Sequence, residues 1–458
     1  MRWRNVIPLV VATAVTGAAV FTAVERQHDG QPSAAPSPRP SPTQMSVRPA
    51  VLAALDPAAV LPPAADVRAA IAAAVAKVPN GEHLTGTVID VSSGTTLWSH
   101  DAAMAMAPAS TTKLLTAAAA LQSLGLDYRF HTTTKQLGNT VYLVGGGDPT
   151  LVRSVSSPVV PGYPQPASLS ELAASTASQL TPGVPIELRV DTTAWSGPAL
   201  AHGWSADYVS EGDVTPPSAL ELDGGRRHPA DFDSPRTMDP SGQAASAFAA
   251  MLRADGVAVD GAIKQEAAPG AAAPLASVSS PPLSELVQRM LTASDNDLAE
   301  ALGRAVAKQE GMPADFTGAA AAVLRQVAEL GVPTSSLTLH DTSGLSHDDL
   351  IDPATLVAVL RTAAAGQHPV LAPIVEGLPV AGFTGTLADR YRAHGAKDGG
   401  GVVRAKTGTL TDVDGLAGLV VDRAGRLLAF AFLTSGSGTE DSVEQGLDRI
   451  TSSLAALS

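Results

Sequence analysis

The chain contains no cysteine, which excludes disulfides and thiolate-held metals. It is also short of positive charge. Thirty Lys and Arg stand against 44 Asp and Glu, a net charge of −14. Such a charge argues against nucleic-acid binding, whose expected footprint is a basic face, so no nucleic-acid partner is expected. Its ten histidines do not pair at a zinc-like spacing such as His-x-x-x-His, so no metal is expected, and no motif calls for a cofactor. The glycine run Gly145-Gly146-Gly147-Asp148-Pro149 is not closed by Gly-Lys-Ser/Thr and is no P-loop. No internal repeat is present. What remains is a foldable composition, 45% hydrophobic and 16% charged, and 458 residues are too many for one ordinary core.

The N-terminus carries an export pattern. Arg2 and Arg4 precede an apolar run from Ile7 to Val24. Residues 1–27 therefore read as a signal peptide or a membrane anchor in the cytoplasmic membrane, and the poor A-x-A pattern that follows favours a retained anchor. Residues 28–63 hold no aromatic side chain and include Pro36-Ser37-Pro38-Arg39-Pro40-Ser41-Pro42, an extended linker that would hold a domain off a membrane surface. The folded part is thus expected outside the cytoplasm, in the wall or periplasmic space.

Hydropathy periods predict a helix over Ala64 to Val78 and strands over Leu84 to Val91 and Thr96 to His100. A helix from about Ser110 to Leu124 follows Pro108. At the other end, Gly415 to Val421 and Arg426 to Leu433 form a hairpin, and Glu440 to Leu457 a closing helix. One antiparallel sheet made from both chain ends and covered by both terminal helices is the simplest arrangement. Between lie a hairpin over Phe130 to Val144 turning at Gly138-Asn139, and helices over Thr317 to Leu330 and Asp352 to Ala364. Asp352 serves the last as N-cap and Pro353 as first residue. The Pro-, Ser-, Gly- and Ala-rich stretches 154–168 and 265–282 read as surface loops.

Three short stretches carry chemistry. In Ser110-Thr111-Thr112-Lys113, helical spacing puts the hydroxyl and the amine on one face, one turn apart. A Ser hydroxyl needs a base to become a nucleophile, and a buried Lys of lowered pKa can supply one. In Ser294-Asp295-Asn296, Ser294 can relay a proton, and Asn296 can hold both Lys113 and a substrate carbonyl. Asp295 points elsewhere if the turn splays its neighbours to one side. In Lys406-Thr407-Gly408-Thr409, on a strand after Val402-Val403, Lys406 offers a fixed charge and the threonines hydroxyls for a carboxylate. Gly408 leaves room for a substrate backbone. His340 and His347 flank Asp341-Thr342-Ser343-Gly344-Leu345-Ser346 and sit where they could line a cleft, although a structural role is commoner for such histidines.

This trio, S-x-x-K, S-D-N and K-T-G, resembles the signature of class A β-lactamases and penicillin-binding proteins. With Gly145 to Leu151, Asp341 to Ser346, and Lys406 to Leu410 continuing to Gly415-Leu416-Ala417-Gly418, the chain from about residue 65 onward resembles the low-molecular-mass class C penicillin-binding proteins, the D-alanyl-D-alanine carboxypeptidase/endopeptidase family. The resemblance implies an α+β fold: a β-lactamase/transpeptidase-like domain over 64–128 and 283–458, with a β-rich domain inserted at 129–282. It implies Ser110 as nucleophile, Lys113 as its base, and Ser294, Asn296 and Lys406 completing the catalytic group. Backbone N–H groups of Ser110 and Thr409 would form the oxyanion hole, and Thr407, Gly408, Thr409 and Leu410 would bind substrate. The implied partners are peptidoglycan stem peptides and, as covalent inhibitors, β-lactam antibiotics. Two other readings are a serine β-lactamase and a non-catalytic wall-binding module. The long insertion, and the absence of an obvious water-activating Glu in a loop after the second box, weigh against the first. Three intact boxes weigh against the second.

Overall fold

The computed structural model describes residue 55 and residues 59–78, 83–155, 165–436 and 439–458. The expected signal or anchor over 1–27 and most of the 28–63 linker lie outside the described residues. No helix among the described residues is long and apolar enough to cross a membrane.

Ten strands are present among them: β1 (His83–Asp90), β2 (Thr96–His100), β3 (His131–Leu137), β4 (Thr140–Val144), β5 (Ile186–Asp191), β6 (Val259–Gln265), β7 (Ala273–Ser279), β8 (Arg404–Leu410), β9 (Val413–Val421) and β10 (Leu427–Ser435). The helices are α1 (Ala64–Val75), α2 (Lys113–Leu124), α3 (Leu169–Gln179), α4 (Tyr208–Glu211), α5 (Pro240–Ala254), α6 (Leu283–Ala293), α7 (Asn296–Gln309), α8 (Phe316–Glu329), α9 (Pro353–Ala364), α10 (Ala372–Gly377) and α11 (Glu440–Ala455).

One sheet has the order β2-β1-β10-β9-β8, antiparallel throughout, and joins the two ends of the folded chain. Its central strand β10 reads Leu-Leu-Ala-Phe-Ala-Phe-Leu because both of its faces are buried. Alternate side chains point to opposite faces of a strand. Leu428, Phe430 and Phe432 accordingly pack with Val67 and Ile71 of α1 and Leu447 and Ile450 of α11. Ala429, Ala431 and Leu433 join the other core, built on α2, α6, α7, α8 and α9. Small residues on that side let α2 come close, and α2 is buried at every position from Lys113 to Leu121. A helical stretch with no solvent face belongs to the core, and this one delivers a lysine into the interior.

The second sheet, order β6-β5-β4-β3-β7, is mixed. β4 runs parallel to β5 and β5 to β6, with α3 and α5 in the two connections and packed on the sheet with their own core. The sheet therefore has a helical layer as well as strands. The loop expected over 265–282 contains β7, which pairs with β3 from His131 to Gln136. Composition hid it: Pro274 sits next to a register shift on an edge strand, where a missing N–H is tolerated. Several helix limits also differ, by up to three residues. α1 ends at Val75, and α2 begins at Lys113 rather than Ser110.

Candidate active site

Ser110 lies in a 3-10 turn, Ala109–Thr112, that feeds α2. The turn begins with Ala109 at φ +47°, a left-handed conformation unusual for alanine. Two glycines hold it there. A Cβ on Gly344 would lie 1.9 Å from the Ala109 carbonyl oxygen, and one on Gly408 would lie 2.7 Å from the Pro108 oxygen and 3.2 Å from the Ser110 nitrogen. Gly408 thus lets strand β8 press against the Ser110 turn, a tighter reason for glycine than the open substrate path expected from sequence. This approach sets Thr409 on the strand next to the turn that carries Ser110.

Lys113 is fully buried, and its Nζ donates to Ser110 Oγ at 2.8 Å, Asn296 Oδ1 at 2.6 Å and the Ser343 carbonyl at 2.6 Å. Asn296 begins α7, and its Nδ2 donates to the Asp213 carbonyl at 2.9 Å. Ser294 caps α6 in the left-handed region, φ +57°. That turn sends Asp295 away from its neighbours, as expected. Asp295 accepts from Leu298 N at 3.0 Å as N-cap of α7 and pairs with Arg289 at 3.1 Å. A cap of this kind contributes about 1 kcal/mol.

Lys406, also fully buried, donates to Ser294 Oγ at 3.0 Å and to the Thr407 carbonyl at 2.7 Å. The Thr407 hydroxyl bonds Thr386 Oγ1 at 2.8 Å, and that of Thr409, an exposed residue, reaches Asp414 Oδ1 at 3.4 Å. Leu410 packs at the edge of a small cluster with Trp204, Val214, Phe316 and Leu345. The structure thus gathers Ser110, Lys113 and Asn296 into one hydrogen-bonded group and Ser294 with Lys406 into a second. Thr407 and Thr409 stand beside them on β8.

Burial dominates the electrostatics. Desolvation lowers Lys113 to about 8, opposed by the charges of Asp341, Glu300, Asp295 and Asp297. Desolvation, and then the charge of Lys113, push Lys406 well below the usual lysine range.

Two parts of the site escaped the sequence reading. Asp341 accepts from Trp204 Nε1 at 2.6 Å, Ser343 N at 3.1 Å, Gly344 N at 2.6 Å and Ser346 N at 2.8 Å. It folds the turn that aims the Ser343 carbonyl at Lys113. The Asp-Thr-Ser-Gly run is turn chemistry and was the available signal. No sequence signal pointed to the Asp213 carbonyl. His347 is exposed. His340 is half-buried with its ring 4.7 Å from that of His202, and neither histidine hydrogen-bonds to the residues of the three boxes.

An antiparallel sheet between α1/α11 and a helical layer, with a half-buried serine bonded to a buried lysine where α2 begins, defines the class: the β-lactamase/transpeptidase-like serine enzymes. Within it, the chain belongs to the D-Ala-D-Ala carboxypeptidase 3 (S13) family, whose model matches residues 67–232 and 233–454. It is 37% identical over 451 residues to Carboxypeptidase DacB of Mycolicibacterium smegmatis, covering 95% of each chain. It is 30% identical over 423 residues to the D-alanyl-D-alanine carboxypeptidase of an Actinomadura species, covering 76% of this chain and 77% of that one. Its fold matches penicillin binding protein 4 (dacB) of Haemophilus influenzae with a TM-score of 0.70 at 22% identity, over 84% of this chain and 97% of that one.

Proposed function

We propose that the protein is a serine D,D-carboxypeptidase/endopeptidase that acts on peptidoglycan stem peptides through an acyl-enzyme and is inhibited by β-lactams. The observation that carries this reading is the contact of 2.8 Å between Lys113 Nζ and Ser110 Oγ, with a fully buried lysine lowered to about 8. A base near neutral pKa takes a hydroxyl proton most effectively at physiological pH. Ser110 Oγ attacks the carbonyl carbon of the penultimate D-Ala while its proton passes to Lys113. The carbonyl oxygen, now an oxyanion, faces the N–H groups of Ser110 and Thr409. Collapse breaks the C–N bond, and the departing amine takes a proton relayed by Ser294. Water then cleaves the ester and returns the proton to Ser110. Lys406, Thr407 and Thr409 receive the substrate's terminal carboxylate, and Gly408 and Leu410 line the same strand.

The β-lactamase reading needs a carboxylate poised on the hydrolytic water. The acids that open α7 are already engaged: Asp297 accepts from Thr215 N at 2.7 Å, and Glu300 from Thr342 N at 2.9 Å and Arg304 at 2.9 Å. This supports slow deacylation. The same proposal takes 64–128 with 283–458 as the catalytic domain and 129–282 as the insertion. It assigns export, with membrane attachment through residues 1–27, on the strength of Arg2, Arg4 and the apolar run behind them.

Intact-mass spectrometry after penicillin treatment tests the reading. One penicilloyl adduct is expected, persisting for minutes after excess drug is removed, and none on Ser110→Ala. Undiminished labelling of that variant would refute the nucleophile. Recovery of free enzyme within about a second, as in ordinary turnover, would favour a β-lactamase.

A further inference from the structure

Asn296 is the residue through which the first two boxes touch, and its amide is fixed at both ends. Oδ1 accepts from Lys113, and Nδ2 donates to the Asp213 carbonyl at 2.9 Å. Asp213 belongs to the long segment between the first two boxes. Two residues on, Thr215 N donates at 2.7 Å to Oδ1 of Asp297, the neighbour of Asn296. The two segments are therefore zipped side by side, 213 with 296 and 215 with 297.

The zip is anchored in a buried charge cluster. Arg236 Nη1 lies 3.7 Å from Asp297 Oδ2, with both side chains nearly buried. The same guanidinium donates to the Gly212 carbonyl at 2.9 Å and the Gly224 carbonyl at 2.6 Å, and Thr215 Oγ1 donates to Gly224 at 2.9 Å. A bridging guanidinium of this kind holds loop 212–224 closed around Asp297, because its planar fork fixes two carbonyls at once. Nearby Glu221 is buried with Oε1 lacking a hydrogen-bond partner, and burial followed by the charge of Asp297 pushes it well above the usual carboxylate range. Burial raises Asp297 as well, to about 6, opposed by the charge of Arg236.

We infer that Asp297 and Arg236 are positioning residues for acylation: they lock loop 212–224 onto α7 so that the Asp213 carbonyl orients the Asn296 amide toward Lys113. The inserted segment is then part of the catalytic frame rather than an appendage. This rests on the reading of Ser110, Lys113 and Asn296 given above.

A double-mutant cycle on the full-length protein tests it, reading the second-order rate of acylation by a fluorescent penicillin. Asp297→Ala removes the acceptor for Thr215 N and is expected to slow acylation roughly 10- to 100-fold, the scale of one lost charge-assisted bond. Asp297→Asn keeps Oδ1 and should recover most of that loss. In an Asn296→Ala background, Asp297→Ala should cost little more, since the group it positions is gone. Losses that simply multiply, or no recovery in Asp297→Asn, would overturn the inference. Should Asp297→Ala fail to fold, Arg236→Lys enters the same cycle. It keeps the charge but cannot bridge Gly212 and Gly224, and its loss too should vanish in the Asn296→Ala background. If the unmutated protein is never acylated, the proposed function fails. If it is acylated and the cycle is additive, only this inference does.

Discussion

Lys113 and Lys406 are both fully buried, yet their surroundings are opposite. Lys113 sits on a core helix with a hydroxyl, an amide oxygen and a carbonyl on its amine, and the charges of Asp341, Glu300, Asp295 and Asp297 act on it from around the site. Those anions hold it near 8 against desolvation. Lys406 sits on the edge strand of the sheet with one hydroxyl and one carbonyl, and the charge that acts on it is the like charge of Lys113. One pocket supplies its own counter-charge and keeps a base poised. The other lacks an anion, and in the proposed reaction the substrate carboxylate provides it. The same residue type performs two tasks because its neighbours differ.

The largest test of this contrast removes the base. Lys113→Met should lower the acylation rate by roughly 10³-fold or more, toward the upper range of a positioned general base, while penicillin still binds reversibly. A loss under tenfold in single-turnover labelling would shift the base role to Lys406. A smaller effect addresses the other pocket. Amidating the terminal D-Ala of a stem-peptide substrate should reduce kcat/KM roughly 10- to 100-fold, about 1.5–3 kcal/mol for the lost charge-assisted contact. Equal rates on acid and amide would mean that Lys406 receives no carboxylate. The effect that is smallest per step is in pH. Only neutral Lys113 accepts a proton, so acylation should climb about tenfold per unit as pH rises toward 8 and level off above it. The sign follows from a lysine, whose reactive form is the deprotonated one. Acylation rates from pH 6 to 9 that stay flat or fall would separate Lys113 from the proton transfer.

The legible parts of the molecule were those set by short-range rules. The alternation in β1 and the hairpin that contains β10 marked both as strands, and one sheet built from the two chain ends was the simplest arrangement. The start of α9 could be read from Asp352-Pro353, where the Asp352 carboxylate does accept from Thr355 N at 2.8 Å. Strand β7 was not legible, since Ala273–Ser279 has the composition of a loop and becomes a strand only by pairing with β3. The turn at Ser110 was read as helix because the residues that follow it, 114–124, are good helix formers. Its 3-10 geometry comes from Gly344 and Gly408 closing on Ala109, two contacts made by chain far away in sequence.

By itself the sequence determined which groups are present and which are local neighbours: a serine three residues before a lysine, a serine two before an asparagine, a lysine on a strand. Only the tertiary structure decided what the two lysines meet. Asn296 lies 183 residues from Lys113 and the Ser343 carbonyl 230, while Ser294 lies 112 from Lys406. A pKa depends on desolvation and on charges a few ångströms away. Those distances are fixed by packing, so the chemistry of each lysine is a property of the fold rather than of the boxes that name it.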